Sequence, residues 1–198
     1  YFFRGLVLST LGQTTRAIAD YDTAIQLDPT IAEVYNNRGL ARFRSGDNAG
    51  AIADFDTAIQ LNPDYVEAYS NRGAVKADDG DYDGAIQDYD RAIRLDPTNA
   101  AAYYNRANAR TASGDQAGAL SDFDTAVRLN PSDADIHLGR GYARSAVGDY
   151  NGAIADFDAA LRLNPNSATA YNNRGVARAA LEDHDGAIAD FDAAIRLD

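Results

Sequence analysis

The chain has 198 residues, a formal net charge of -12 and no cysteine. That charge repels phosphate, which argues against DNA, RNA or an anionic membrane as the main partner. The missing cysteines exclude disulfides, thiolate nucleophiles and cysteine metal sites, and they leave the redox compartment open.

The first stretch, residues 1–12 (YFFRGLVLSTLG), has the apolar look of a signal segment. It nevertheless fits the register of the rest of the chain, so it is read as structure. The chain opens without Met and in mid-pattern, as expected of a piece of something longer. It contains no run of about 18 apolar residues, so no segment is expected to span a bilayer.

Beyond this stretch the chain repeats itself. Pro29, Pro63, Pro97, Pro131 and Pro165 stand 34 residues apart, and a fixed period of that size marks a repeat architecture. Residues 32–65 are the type unit. Ala32 to Arg44 carries no proline and predicts a first helix, A. Ser45-Gly46-Asp47 breaks it, with Gly46 suited to a left-handed C-terminus and Asp47 to an N-cap. A second helix, B, is predicted from about Ala49 to Leu61, with Ile52, Phe55 and Ile59 on one face. Asn62-Pro63 ends it. The repeats fall at 1–31, 32–65, 66–99, 100–133, 134–167 and 168–198, read as one array. Helices of roughly three turns are unstable alone, so pairing and stacking must supply the stability.

Several columns step by the same period. Ala17, Ala51, Ala85, Ala119, Ala153 and Ala187 form one, and Ala24 to Ala194 another. Tyr21, Phe55, Tyr89, Phe123, Phe157 and Phe191 are aromatic throughout. Small Gly39 and Ala51 let the helices approach, and Tyr35 and Phe55 fill the space beside them. The set Tyr35, Gly39, Ala51, Phe55, Ala58 and Pro63 resembles the tetratricopeptide repeat family over the whole chain. The departures are Ala107 in a glycine column, and Arg38 and Arg42 where the family usually has an apolar residue and an aromatic. The resemblance implies an all-α, right-handed superhelical solenoid of six antiparallel helix-turn-helix repeats, with A helices lining a concave groove. It also implies protein–protein recognition, commonly of short extended peptides.

Two charged columns are complete. Arg4, Arg38, Arg72, Arg106, Arg140 and Arg174 lie on the inward stripe of helix A. Asp20, Asp54, Asp88, Asp122, Asp156 and Asp190 lie on that of helix B. One Arg–Asp ion pair per repeat is expected. A second acidic column, Asp22, Asp56, Asp90, Asp124, Asp158 and Asp192, lies about 200° away on the helix and is expected to form a solvated stripe.

The stripe of helix A that would face a groove reads Phe3, Asn37, Asn71, Asn105, Gly139 and Asn173. Asn offers both a donor and an acceptor. The column looks like the asparagine ladder by which some members of the family hold a peptide backbone, a role expected at Asn37, Asn71, Asn105 and Asn173. The other reading is that these amides bridge neighbouring helices. Phe3 and Gly139 interrupt the ladder. Asn36, Asn172, Tyr104, Asn108 and Tyr142 flank it as further contacts. Few charges lie nearby, so an extended peptide, neutral or mildly basic, with small and apolar side chains, is the expected partner.

Residues 79–84 with Asp90 loosely match a calcium loop, but the register puts Ala85 to Asp90 in a helix. His137 and His184 stand alone in different columns. His137 takes the slot of Tyr35 and is expected to substitute for it in packing. No metal, no cofactor and no catalytic residue is expected, so the chain reads as a binding scaffold. The alternative is a structural array that self-associates, because nothing polar covers Ile195 and Leu197 at its end.

Overall fold

The computed structural model describes residues 1–197. Among these, all regular structure is helical. The helices are α1 (Phe2–Thr10), α2 (Thr14–Leu27), α3 (Ala32–Arg44), α4 (Asn48–Leu61), α5 (Val66–Asp78), α6 (Tyr82–Leu95), α7 (Ala100–Ser113), α8 (Gln116–Leu129), α9 (Ala134–Ala146), α10 (Tyr150–Leu163), α11 (Ala168–Ala180) and α12 (His184–Leu197). Odd-numbered helices are the A helices of the repeats and even-numbered ones the B helices. The chain forms two compact units, Tyr1–Pro97 and Thr98–Asp198.

Within each unit the packing follows chain order. Each A helix pairs with its own B helix, and each B helix contacts the next A helix. The A helices also touch one another, α1 with α3 and α3 with α5 in the first unit, α7 with α9 and α9 with α11 in the second. Each unit therefore presents a face made of adjacent A helices.

The turns follow their residue types. Gly46 has φ 84°, and Gly12, Gly80, Gly114 and Gly148 also adopt the left-handed conformation that ends an A helix. At the same position the sixth repeat carries Glu182, held at φ 63°. Asp47 then caps α4 by accepting from the Gly50 N–H, and Asp81, Asp115 and Asp149 cap α6, α8 and α10 in the same way. At its other end each of these B helices stops just before its proline, which has no N–H to continue it.

The core is built from the predicted columns. Ala51, Ala85, Ala119 and Ala153 are fully buried, as are Tyr21, Phe55 and Phe157. In the first unit, Ala51, Phe55 and Val75 pack with Leu40 and Phe43. In the second, Ala107, Ala119, Phe123 and Ala143 pack with Tyr104 and Leu120. Ala107 is buried like the glycines of its column.

Candidate functional site

An ionic lattice fixes the positions of the A helices. The expected pair is present in all six repeats: Arg4–Asp20, Arg38–Asp54, Arg72–Asp88, Arg106–Asp122, Arg140–Asp156 and Arg174–Asp190. The Arg38 pair has two points of contact, Nε to Oδ2 at 2.9 Å and Nη2 to Oδ1 at 2.6 Å. Such fork-on-carboxylate geometry adds specificity as well as attraction. From the second repeat onward, the aspartate also takes a second cation from the same A helix. Arg42, Arg110, Arg144 and Arg178 reach Asp54, Asp122, Asp156 and Asp190, and Lys76 reaches Asp88. This role of Arg42 and its column was not expected from the sequence.

The second acidic column departs from expectation. Asp22 is not a solvated bystander: its Oδ1 accepts from Nη1 of Arg38, in the next repeat, at 2.6 Å. Asp56 pairs in the same way with Arg72, Asp124 with Arg140, and Asp158 with Arg174. A helical wheel places these carboxylates correctly, facing away from their own hairpin. The helix they face belongs to the next repeat. Burial works to lower the Arg38 pKa, but the hydrogen bonds to Asp54 and Asp22 outweigh it and hold the guanidinium above its ordinary value.

Beside this lattice, the arginines lie over aromatic rings. Arg38 sits 5.6 Å from the Tyr35 ring centre, and Arg72, Arg106 and Arg174 lie similarly over Tyr69, Tyr103 and Tyr171. His137 occupies this slot in the fifth repeat. Its Nε2 lies 3.0 Å from the Pro131 carbonyl oxygen, much as the Tyr69 hydroxyl donates to the Pro63 carbonyl at 3.3 Å. It stands in for tyrosine, as its register suggested. The acidic stretch around residue 81 is also engaged in structure. Asp81 caps α6 and Asp79 accepts from Asn48 at 2.6 Å.

The asparagines divide. Asn37 turns its amide back along α3 and donates to the Glu33 carbonyl at 2.7 Å. Asn71 donates to Oδ1 of Asn36 at 2.9 Å, bridging α5 to α3. Asn36 is buried, so its expected place among the surface contacts does not hold, because the next A helix covers it. In the second unit Asn105 and Asn173 are half-buried, while Asn172 and Asn108 are exposed. Asn172 donates to Asn173 at 3.5 Å, a weak contact that leaves Asn173 available to other partners.

The second unit brings four of the candidate residues together. Tyr104, Asn108, Tyr142 and Asn173 all line one cavity of about 340 Å³ among α7, α9 and α11. Its apolar walls are the Tyr104 and Phe123 rings and Leu138. The two rings meet edge-on, with centres 6.0 Å apart. Gly139 also lines it, although in sequence it looked like a gap in the ladder. A Cβ at 139 would stand 2.7 Å from Phe123 Cε1 and 3.3 Å from Tyr104 Cε2, so glycine is what admits both rings.

Sequentially packed helical hairpins, with an exposed face of A helices, define an all-α helical-repeat protein of the solenoid class. The chain belongs to the tetratricopeptide repeat family. One model of the family, described as tetratricopeptide repeat, matches residues 37–100, 71–134, 104–144 and 138–198, and a second, described as TPR repeat, matches 5–46. No curated protein matches the chain. Among solved structures, MamA is 26% identical over 80% of this chain and 93% of its own, with a TM-score of 0.76. YrrB, described as a TPR protein with an unusual peptide-binding site, is 25% identical over 89% of this chain and 91% of its own, with a TM-score of 0.74. PilF of Pseudomonas aeruginosa is 19% identical over 96% and 86%, with a TM-score of 0.86, a likeness of fold alone.

Proposed function

We propose that this protein is a non-catalytic interaction scaffold that holds an extended peptide segment of a partner protein against its A helices, with its six repeats acting as one array. The observation that carries this reading is the cavity among α7, α9 and α11, where Tyr104, Asn108, Tyr142 and Asn173 converge from three different repeats. Concave sites with a mostly apolar lining and a few convergent polar groups are where proteins hold ligands. Rigid aromatic rings supply contact area at low entropic cost, and the amides of Asn105 and Asn173 can pair with a peptide backbone without reading its side chains. The net charge of -12 favours a neutral or mildly basic segment over an acidic one. The description of YrrB as a peptide-binding TPR protein supports the same direction.

The test is selection of peptides from an unbiased displayed library, run on the wild-type chain and on a variant with Asn37, Asn71, Asn105 and Asn173 all changed to Ala. The expected result is a set of peptides that bind the wild type and lose affinity for the variant while its circular dichroism is retained. Equal binding by both would assign the asparagines to structure alone.

A second reading is self-association. Helix α12 leaves Ile188 59% and Ile195 74% exposed, an apolar surface that a second copy could cover. Its signature is a mass that rises with protein concentration in sedimentation or light scattering.

A further inference from the structure

The seam between α3 and α5 and the seam between α7 and α9 are built differently. In the first unit the positions are Asn36 and Asn71, and their side chains bond to each other at 2.9 Å across α3 and α5. Two repeats later the same register positions are Tyr104 and Gly139. An amide–amide bridge that closes the seam is replaced by a large ring and no side chain at all. The Tyr104 ring meets Phe123, Gly139 makes room for both, and a cavity of about 340 Å³ remains open between the helices. That volume lies near the lower end of the roughly 300–1,000 Å³ spanned by ligand pockets, a scale suited to one bulky side chain.

The rim carries a charge. Asp135 lines the cavity and is exposed. Its backbone N–H donates to Oδ1 of Asp133, but its carboxylate forms no ion pair with an arginine or lysine among the described residues, unlike the aspartates of the lattice. Tyr104 and Asp135 also line an adjoining smaller cavity of about 140 Å³ that includes Asp133. Tyr142, 58% exposed, stands on the main rim. An apolar floor beside an unpaired carboxylate and an exposed ring is complementary to an apolar side chain next to a cation.

We propose that this cavity is a side-chain pocket that takes one bulky apolar residue, aromatic or leucine-sized, of a bound peptide, with a lysine or arginine within two residues of it held at Asp135. The proposal rests on the peptide-binding reading and adds what that peptide must contain. The apolar side chain gains contact with Tyr104, Phe123 and Leu138, and the cation meets the one charged group on the rim. A peptide with Glu or Asp beside the anchor is repelled by Asp135 and by the acidic chain as a whole.

An array of degenerate decapeptides, with one position fixed at a time to each residue type, tests the pocket. It is probed with the wild type, Gly139→Asn, Ala112→Leu and Asp135→Asn. Gly139→Asn restores the residue found at this position in four other repeats. Ala112 is an exposed residue on the cavity wall, so Ala112→Leu narrows the pocket without touching the core. The wild type should select Phe, Tyr or Leu at one position and Lys or Arg close by. Both filling variants should weaken the best peptide by at least about tenfold and leave a version with Ala at the anchor unaffected. Asp135→Asn should keep the apolar preference and lose the cationic one. Peptides that bind without an apolar preference, or that bind a folded Ala112→Leu as well as the wild type, would overturn the pocket and leave the peptide-binding reading standing. If no peptide binds any of the four proteins, both fall.

Discussion

Arg38 donates through Nη1 to Asp22, a residue of the preceding hairpin, at 2.6 Å, while its Nε and Nη2 hold Asp54 in its own. One guanidinium thereby ties two repeats together, and the same joint recurs at Arg72, Arg140 and Arg174. In a repeat protein, stability is the sum of each repeat's own contribution and its interface with the next. The lattice supplies both from a single side chain.

The two aspartates held by Arg38 should differ sharply in weight. The Asp54 side chain is 4% exposed and that of Asp22 is 45% exposed. Asp54→Asn takes the buried carboxylate from both Arg38 and Arg42, leaving Arg38 only its bond to Asp22, and should cost about 3 kcal/mol. Asp22→Asn removes a half-exposed partner and should cost less than about 1 kcal/mol. Urea denaturation of both variants checks the order. Equal costs would show that the boundary pair weighs as much as the pair within the hairpin and would contradict this ranking by burial.

These differences mark how far the sequence can be read. The period of the prolines, the alanine and aromatic columns and the Arg38–Asp54 pair all follow from spacing within one hairpin, and the structure bears them out. The partner of Asp22 did not follow, because it lies on a helix of the next repeat and no single helical wheel contains it. Asn36 was misplaced for the same reason: α5 buries it. Gly139 was legible as an interruption but not as an opening, since the effect of a missing side chain depends on which rings lean into the space. The recurrence of Arg42, Lys76, Arg110, Arg144 and Arg178 was a signal that could have revealed the second cation on these aspartates.

Glu182 is the single residue other than glycine with positive φ among the described residues, at 63°, where the other five repeats use glycine. Left-handed backbone penalises a side chain, partly offset by the greater entropy that glycine loses on folding. Glu182→Gly should raise the unfolding free energy by about 0.5–1 kcal/mol, and Gly148→Ala should lower it by about 1 kcal/mol. A rise in chemical-denaturation midpoint for the first and a fall for the second is the expected pattern. No change in either would show that the turn relaxes freely.

His137 fills a tyrosine slot imperfectly. Its Nδ1 is buried without a hydrogen-bond partner, and Asp156 at 3.7 Å is too far to provide one. Tyrosine there removes the orphaned nitrogen, keeps a bond to the Pro131 carbonyl and places a ring beside Arg140. His137→Tyr should stabilise the protein by about 1 kcal/mol. Thermal unfolding is the measurement, and a lower midpoint would mean the slot has narrowed around the smaller ring.

Asp20 predicts part of the acid response. Hydrogen bonds from Arg4 favour its carboxylate, burial opposes them, and the net effect lowers its pKa below the ordinary 3.8. The unfolded chain therefore takes up the proton first as pH falls. The contribution of the pair is complete above about pH 4 and is lost as pH drops through the folded value. The stability gap between the wild type and Asp20→Asn should be constant near neutrality and close below about pH 4. A gap that persists in strong acid would trace the loss to packing rather than charge.

The claim that the A helices form the recognition surface is tested most directly by amide hydrogen exchange of the chain with and without a library-selected peptide. Added protection, and shifted side-chain amide signals in a parallel NMR spectrum, should run along α7, α9 and α11 and centre on Tyr104, Asn108, Tyr142 and Asn173. Protection confined to α8, α10 and α12, with α7, α9 and α11 unchanged, would contradict the claim.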